Sequence, residues 1–256
     1  IYILIINATR KHVDIISSVS FIPGSNLAAN VKKLLNDPMF QFDPFIGFKN
    51  SAIIAVGSTV LSVFFSALTA YGLVVYDFKL RGPAYTFILV VMMVPMQVTS
   101  VGFLQFMIKL GLSDSFIPLI VPTIAAPAIV FFMRQYLKSS FPLDIVEAAR
   151  IDGCGEFRTF LTIAIPMMKP AIAVQAIFAF IQNWNNFYQP SMILVSRKFE
   201  QITMPMMINM LKSNDKIADY GVIYAGIALS IIPVVVIYLL LSRFIVEGVA
   251  LGGVKE

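Results

Sequence analysis

Charge is scarce in this chain. Of its 256 residues only 13% are charged, against roughly 25% in ordinary soluble domains. The mean hydropathy of +0.84 agrees, because a soluble domain of this length needs more charged surface. Cys154 is the one cysteine, so no disulfide can close within the chain and no cysteine-based metal site can form. His12 is the one histidine, which excludes most imidazole catalysis and most zinc chemistry. No GxxxxGK[ST] phosphate loop occurs, so ATP, if used, must be hydrolysed by a separate chain. The net charge is +5, yet no basic cluster interleaves with aromatics as a nucleic-acid surface requires. Anionic membrane lipid attracts the same charges.

What is abundant is apolar sequence, 58% of the chain. A membrane-crossing helix needs about 20 apolar residues without charge. Residues 50–76, 82–108, 115–133, 170–196 and 220–242 are free of Asp, Glu, Lys and Arg. One central Lys or Asp costs about 2.5–3.5 kcal/mol on insertion scales, so these gaps read as five full spans. Residues 1–9, before Arg10, read as half of a sixth, and further residues are expected upstream. The expected fold is all-α: a polytopic transmembrane helical bundle of six spans, the first truncated, forming one transmembrane domain. Its spans are placed at 1–9, 50–76, 82–108, 115–137, 163–194 and 219–246, with a polar loop at 138–162. Ala55, Ser58, Ser62, Ser66 and Ala70 recur at helical spacing in the first full span, where small residues let helices approach closely. The stretch NLAANVKKLL, residues 26–35, suggests a surface helix. Charge counting does not orient the chain. One side carries Lys79, Arg81, Arg134, Lys138, Arg150, Arg158, Lys169, Arg243 and Lys255, and the other carries the remaining ten Lys and Arg.

The informative segment runs from Glu147 to Pro166, EAARIDGCGEFRTFLTIAIP. It reads as a helix, a break and a helix between two spans. Pro142 suits a first helical turn. Leu143, Val146, Ala149 and Arg150 fall on one face, and Asp144, Glu147 and Ala148 on the neighbouring one. Gly153 ends the first helix and Gly155 opens the second, which is expected to bury Phe157, Phe160 and Leu161. A helix pair this polar cannot cross a bilayer; it stands in water or docks on a partner.

Glu147, Ala148, Ala149, Gly153, Ile163, Ile165 and Pro166 match, in type and spacing, the EAA loop of ABC importer permeases. Ile165 stands where Leu is commoner. The chain resembles the second permease subunit of maltose-type carbohydrate importers along nearly its whole length. KNSAIIA, AYGLVVYDFKLRG, VPMQ, NWNNFYQP and the closing VEGVALGGVKE also carry that resemblance. The resemblance implies that 134–169 is cytoplasmic and that Glu147, Ala148, Ala149, Asp152, Gly153, Ile163 and Pro166 belong to an ATPase-coupling loop. It implies a multi-pass subunit of a bacterial inner membrane, without catalysis of its own. The implied partners are a second, homologous permease subunit, two ATPase subunits holding ATP and magnesium, and an extracellular solute-binding protein that delivers a sugar or oligosaccharide. Glycerol phosphate or an amino acid is the alternative solute. A secondary transporter is the alternative class, but it predicts intramembrane Asp, Glu, His or Arg, which the five full spans lack.

Two further groups of residues draw notice. Gln182, Asn183, Asn185, Asn186 and Gln189 place five amides in an uncharged stretch. Gln182, Asn186 and Gln189 share one face if the helix is continuous. Amides match sugar hydroxyls as donors and acceptors, so Gln97, Gln182, Asn185, Asn186 and Gln189 are candidate contacts along a solute path. Equally, the amides can staple helices together or reach the outer interface, where Trp184 and Tyr188 are at home. In the loop 197–219, Lys212, Ser213, Asn214 and Asp215 form a turn-like segment. By the resemblance, this segment faces the binding protein.

Overall fold

The computed structural model describes residues 1–196, 198–213 and 219–252, with the side chains of Arg243 and of 245–252 excepted. Among the described residues every regular element is helical. The chain forms two compact units, Ile1–Ile54 with Trp184–Val236, and Ala55–Asn183 with Ile237–Glu256.

In the first unit α1 (Tyr2–Ala8), α2 (His12–Ser17) and α3 (Leu27–Asn36) precede the start of α4 (Pro44–Val75). The half-span expected at 1–9 is thus a seven-residue helix. Asn30, buried on α3, donates to the carbonyls of Ala8 at 2.8 Å and Arg10 at 2.9 Å. On α4, Asn50 donates to the carbonyls of Glu200 and Ile202 at 2.8 and 3.0 Å. These amides satisfy backbone groups that no helix ladder serves.

The second unit holds most of α4, then α5 (Arg81–Met92), α6 (Met96–Lys109), α7 (Ile117–Ile120), α8 (Pro127–Ser140), α9 (Asp144–Ile151), α10 (Glu156–Thr159), α11 (Ile165–Met167) and most of α12 (Lys169–Trp184). The small-residue stripe does what its spacing predicts. Ala55, Ser58, Ser62, Ser66 and Ala70 are all buried. Ser58 and Ser66 donate to the carbonyls of Leu119 and Ala126, and Thr123 donates to that of Ser58. Pro122 and Pro127 interrupt the 115–137 stretch, and side-chain hydroxyls take up the carbonyls near them.

After α12 come α13 (Tyr188–Ile193) and α14 (Met204–Ser213), and α15 (Tyr220–Gly252) runs through Pro233 without a break. By length and composition α4, the stretch Ile117–Ser140 and α15 can each cross a membrane, and two bent helix pairs bring the total to five.

Two of the expected spans are sharply bent. Residues 82–108 are two helices, α5 and α6, meeting at 95°. Pro95 is extended (ψ 129°), and the residue before a proline resists the helical region. The fifth stretch, expected at 163–194, bends by 80° before α12, which ends at Trp184. Pro170, in the first turn of α12, suits a helix start rather than a helix interior.

Candidate functional site

The base of α9 is buried and its outer face is not. Val146 and Ala149 turn inward. Val146 joins Tyr71 and Val74 of α4, Met133 and Leu137 of α8, Phe141, Phe160, Ala164 and Met168 in one apolar cluster. The spacing 146/149 is a single helical turn, so the neighbouring face points away from the cluster. Glu147, Ala148, Asp152 and Gly153 are all exposed. So is Ile151, at 86%, an uncommon degree for a large apolar side chain. The carboxylate of Glu147 takes part in neither ion pair formed among the described residues.

Gly153 closes the helix. Its φ is +75°. Cys154 donates its N–H to the Ala149 carbonyl at 2.9 Å and Gly153 to that of Arg150 at 3.0 Å, the arrangement of a left-handed helix cap. A Cβ added at Gly153 would meet nothing within 4 Å. Backbone conformation, not space, is therefore what favours glycine there.

Beyond the turn, Gly155 leads into α10, as its place in the sequence suggests. The burial expected of Phe157 and Leu161 is not found. Phe160 is 1% exposed, but Phe157 is 58% and Leu161 40% exposed. Residues Phe160–Ala164 form a π-turn, which adds a residue to the turn and moves the inward register to Thr159, Phe160 and Ala164. Two features loosen the helix here. Pro166 has no N–H to give, and Thr159 and Thr162 donate their hydroxyls to the carbonyls four residues back. Ile163 is half-buried and Pro166 exposed.

Three side chains that sequence reasoning passed over meet at this turn. Arg150 donates to Glu156 from Nε at 2.7 Å and from a terminal nitrogen at 3.3 Å. Tyr76, just past the end of α4, donates its hydroxyl to the other Glu156 oxygen at 2.6 Å. The Arg150 guanidinium also lies 5.7 Å from the Tyr76 ring centre. The Arg150 guanidinium first, and then the Tyr76 hydroxyl, hold the Glu156 carboxyl below the usual carboxylate range. The opposite charges of Arg150 and Glu156, six apart across a glycine turn, were the available signal.

The amide stretch is arranged differently. Because α12 ends at Trp184, Gln182, Asn186 and Gln189 do not share a helix face. Asn186 donates to the Gln189 side chain at 2.7 Å and accepts from the Gln189 N–H at 3.2 Å, so these two close on each other. Gln182 and Asn185 are exposed. Gln97 is exposed on α6, and its carbonyl accepts from Ser100. Trp184 is enclosed: it is 2% exposed and donates to the Ser230 carbonyl at 2.9 Å. Lys212 and Ser213 are exposed at the end of α14; Asn214 and Asp215 lie outside the described residues.

Apolar helices of spanning length, with a short helix between them that exposes a polar face, mark a multi-pass membrane protein. Residues 51–250 match the model of the binding-protein-dependent transport system inner membrane component, and the chain belongs to that family. It is a permease component, and members of this class work with partner subunits. It is 38% identical over 211 residues to the arabinooligosaccharides transport system permease protein AraQ of Bacillus subtilis (strain 168), covering 82% of this chain and 74% of that one. It is 33% identical over 215 residues to the lactose transport system permease protein LacG of Rhizobium radiobacter, covering 84% and 77%. Among solved structures, a chain of a bacterial ABC transporter involved in import of the acidic polysaccharide alginate matches with a TM-score of 0.76 at 23% identity. That match covers 94% of this chain and 88% of the other, and bears on fold alone.

Proposed function

We propose that this chain is one of two permease halves of an ATP-driven importer of a sugar or oligosaccharide in a bacterial cytoplasmic membrane. A binding protein on the outer side delivers the solute, and two ATPase subunits on the cytoplasmic side, carrying ATP and magnesium, supply the energy. The carrying observation is α9, rooted in the apolar cluster by Val146, with Ala149 buried on the same face, while Glu147, Ala148 and Ile151 stand free. A helix so rooted transmits force only if something grips its free face. An acidic side chain beside an isolated apolar one suits a groove on a protein partner. The sugar rests on the solutes named for the two relatives. The exposed amides Gln97, Gln182 and Asn185 are proposed contacts for its hydroxyls, and Lys212 and Ser213 a contact for the binding protein.

The test is reconstitution. Alone in vesicles, the chain should neither hydrolyse ATP nor accumulate arabinotriose, lactose or glycerol phosphate. With the second permease, the ATPase and the binding protein, one of the two sugars should be accumulated and should raise ATP turnover. Gradient-driven uptake by the lone chain would overturn the proposal. Exclusive uptake of glycerol phosphate would overturn the sugar.

A further inference from the structure

We propose that Arg150, Glu156 and Tyr76 form a latch that fixes α9 and its glycine turn to the end of α4, making these three the positioning residues through which movement of α9 reaches a membrane span. This rests on the reading of α9 as the docking helix. α9 is held from one side only, with Val146 in the apolar cluster and Ala149 buried on the same face. Apolar contact is non-directional, so a helix two turns long held this way can roll about its own axis. The latch supplies the missing direction. It takes one residue from α9, one from the far side of the turn at Gly153 and one, Tyr76, from the first position past the end of α4. Both oxygens of Glu156 are occupied, one by Arg150 at 2.7 Å and the other by Tyr76 at 2.6 Å and Arg150 at 3.3 Å. A guanidinium fork on a carboxylate fixes orientation as well as distance. Tyr76 and α4 therefore follow Glu156 wherever the loop is pulled. Arg150 sits in the last turn of α9, next to its exposed end, where a partner's pull has the longest lever. None of the three lies on the free face formed by Glu147, Ala148 and Ile151, so the latch and the docking surface are separable.

The experiment places spin labels at Phe78 and Arg158, in a Cys154→Ser background, in the full chain in lipid nanodiscs. In the same variants, retention of the co-expressed ATPase on purification is measured. The unmodified latch should give one narrow distance distribution. Arg150→Glu, Glu156→Arg and the milder Glu156→Gln should each broaden it and lower ATPase retention roughly two- to fivefold, the range an exposed ion pair supports. Tyr76→Phe keeps the ring and removes only the hydroxyl, and should broaden the distribution less. The double exchange Arg150→Glu with Glu156→Arg should restore a narrow distribution and retention. Unchanged distributions in the single variants overturn the latch, as does failure of the exchange to restore what either single variant loses. A Tyr76→Phe distribution identical to the parent overturns the link to α4. Glu147→Lys separates the two proposals. It should lower retention and leave the distance narrow; full retention there removes the docking helix, whatever the distances say.

Discussion

Residues 144–160 and 182–189 both bring polar side chains into a chain that has few, and they turn them in opposite directions. In the first segment the apolar residues Val146, Ala149 and Phe160 go inward and Glu147, Ala148 and Asp152 are left outside. In the second, Trp184 is enclosed and bonded to a backbone carbonyl, and Asn186 and Gln189 pair with each other. The first leaves one face of its helix exposed. The second is largely satisfied within itself, and only Gln182 and Asn185 remain available. Local sequence composition points to both as sites. Which side chains are already occupied separates a surface offered to a partner from a local brace.

The largest effect should come from removing the root of the first segment. Phe160→Ala should lower stability by about 3–5 kcal/mol, the usual range for a buried phenylalanine, while Leu161→Ala, next to it and half in the open, should cost less than about 1 kcal/mol. Thermal unfolding in detergent, followed by tryptophan fluorescence, compares the two. Equal losses would mean that the inward register of the π-turn is wrongly assigned.

Next is the turn. Gly153→Val should cost on the order of 1–3 kcal/mol from the positive φ, with lowered ATPase retention and normal membrane insertion. Gly153→Asn, which tolerates that region, should behave much more like the parent. Equal damage from the two would point to lost space rather than strain, and a Cβ meets nothing there.

The amide pair should respond more weakly and in another currency. Asn186→Leu should lower stability by about 0.5–1.5 kcal/mol, the net worth of a hydrogen bond, with uptake falling in step. Gln182→Leu should leave stability unchanged and reduce uptake alone. If Asn186→Leu abolishes uptake at full stability, the pair is a solute contact and the contrast between the segments fails.

The smallest effect concerns pH. Glu156 titrates below its ordinary value of 4.5 because its charged form is held by Arg150 and Tyr76. A depressed carboxylate contributes fully above its unfolded value and loses that contribution as pH falls through the folded one. The Phe78–Arg158 distance should therefore stay narrow from neutral pH down through the ordinary carboxylate range and broaden only below it. Broadening that begins near neutral pH would assign the latch to another group.

Much of this molecule follows from the sequence alone. Charge-free stretches mark apolar helices, because a charge in hydrocarbon costs more than a helix can recover. The stripe from Ala55 to Ala70 marks a close helix contact, because small side chains at one helical spacing leave room for a backbone. Glu147 to Gly153 marks a short polar helix with a glycine turn, because composition and spacing are local properties. Tertiary structure decided what depends on where helices stop and what lies beside them. The 95° bend at Pro95 and the end of α12 at Trp184 separated residues that a continuous helix would have aligned. The π-turn before Pro166 turned Leu161 outward. The Arg150–Glu156–Tyr76 contact joins residues up to 80 positions apart. A pairing that distant leaves no periodic trace in the sequence, since it is set by the packing of α4 against the loop rather than by either segment's own pattern.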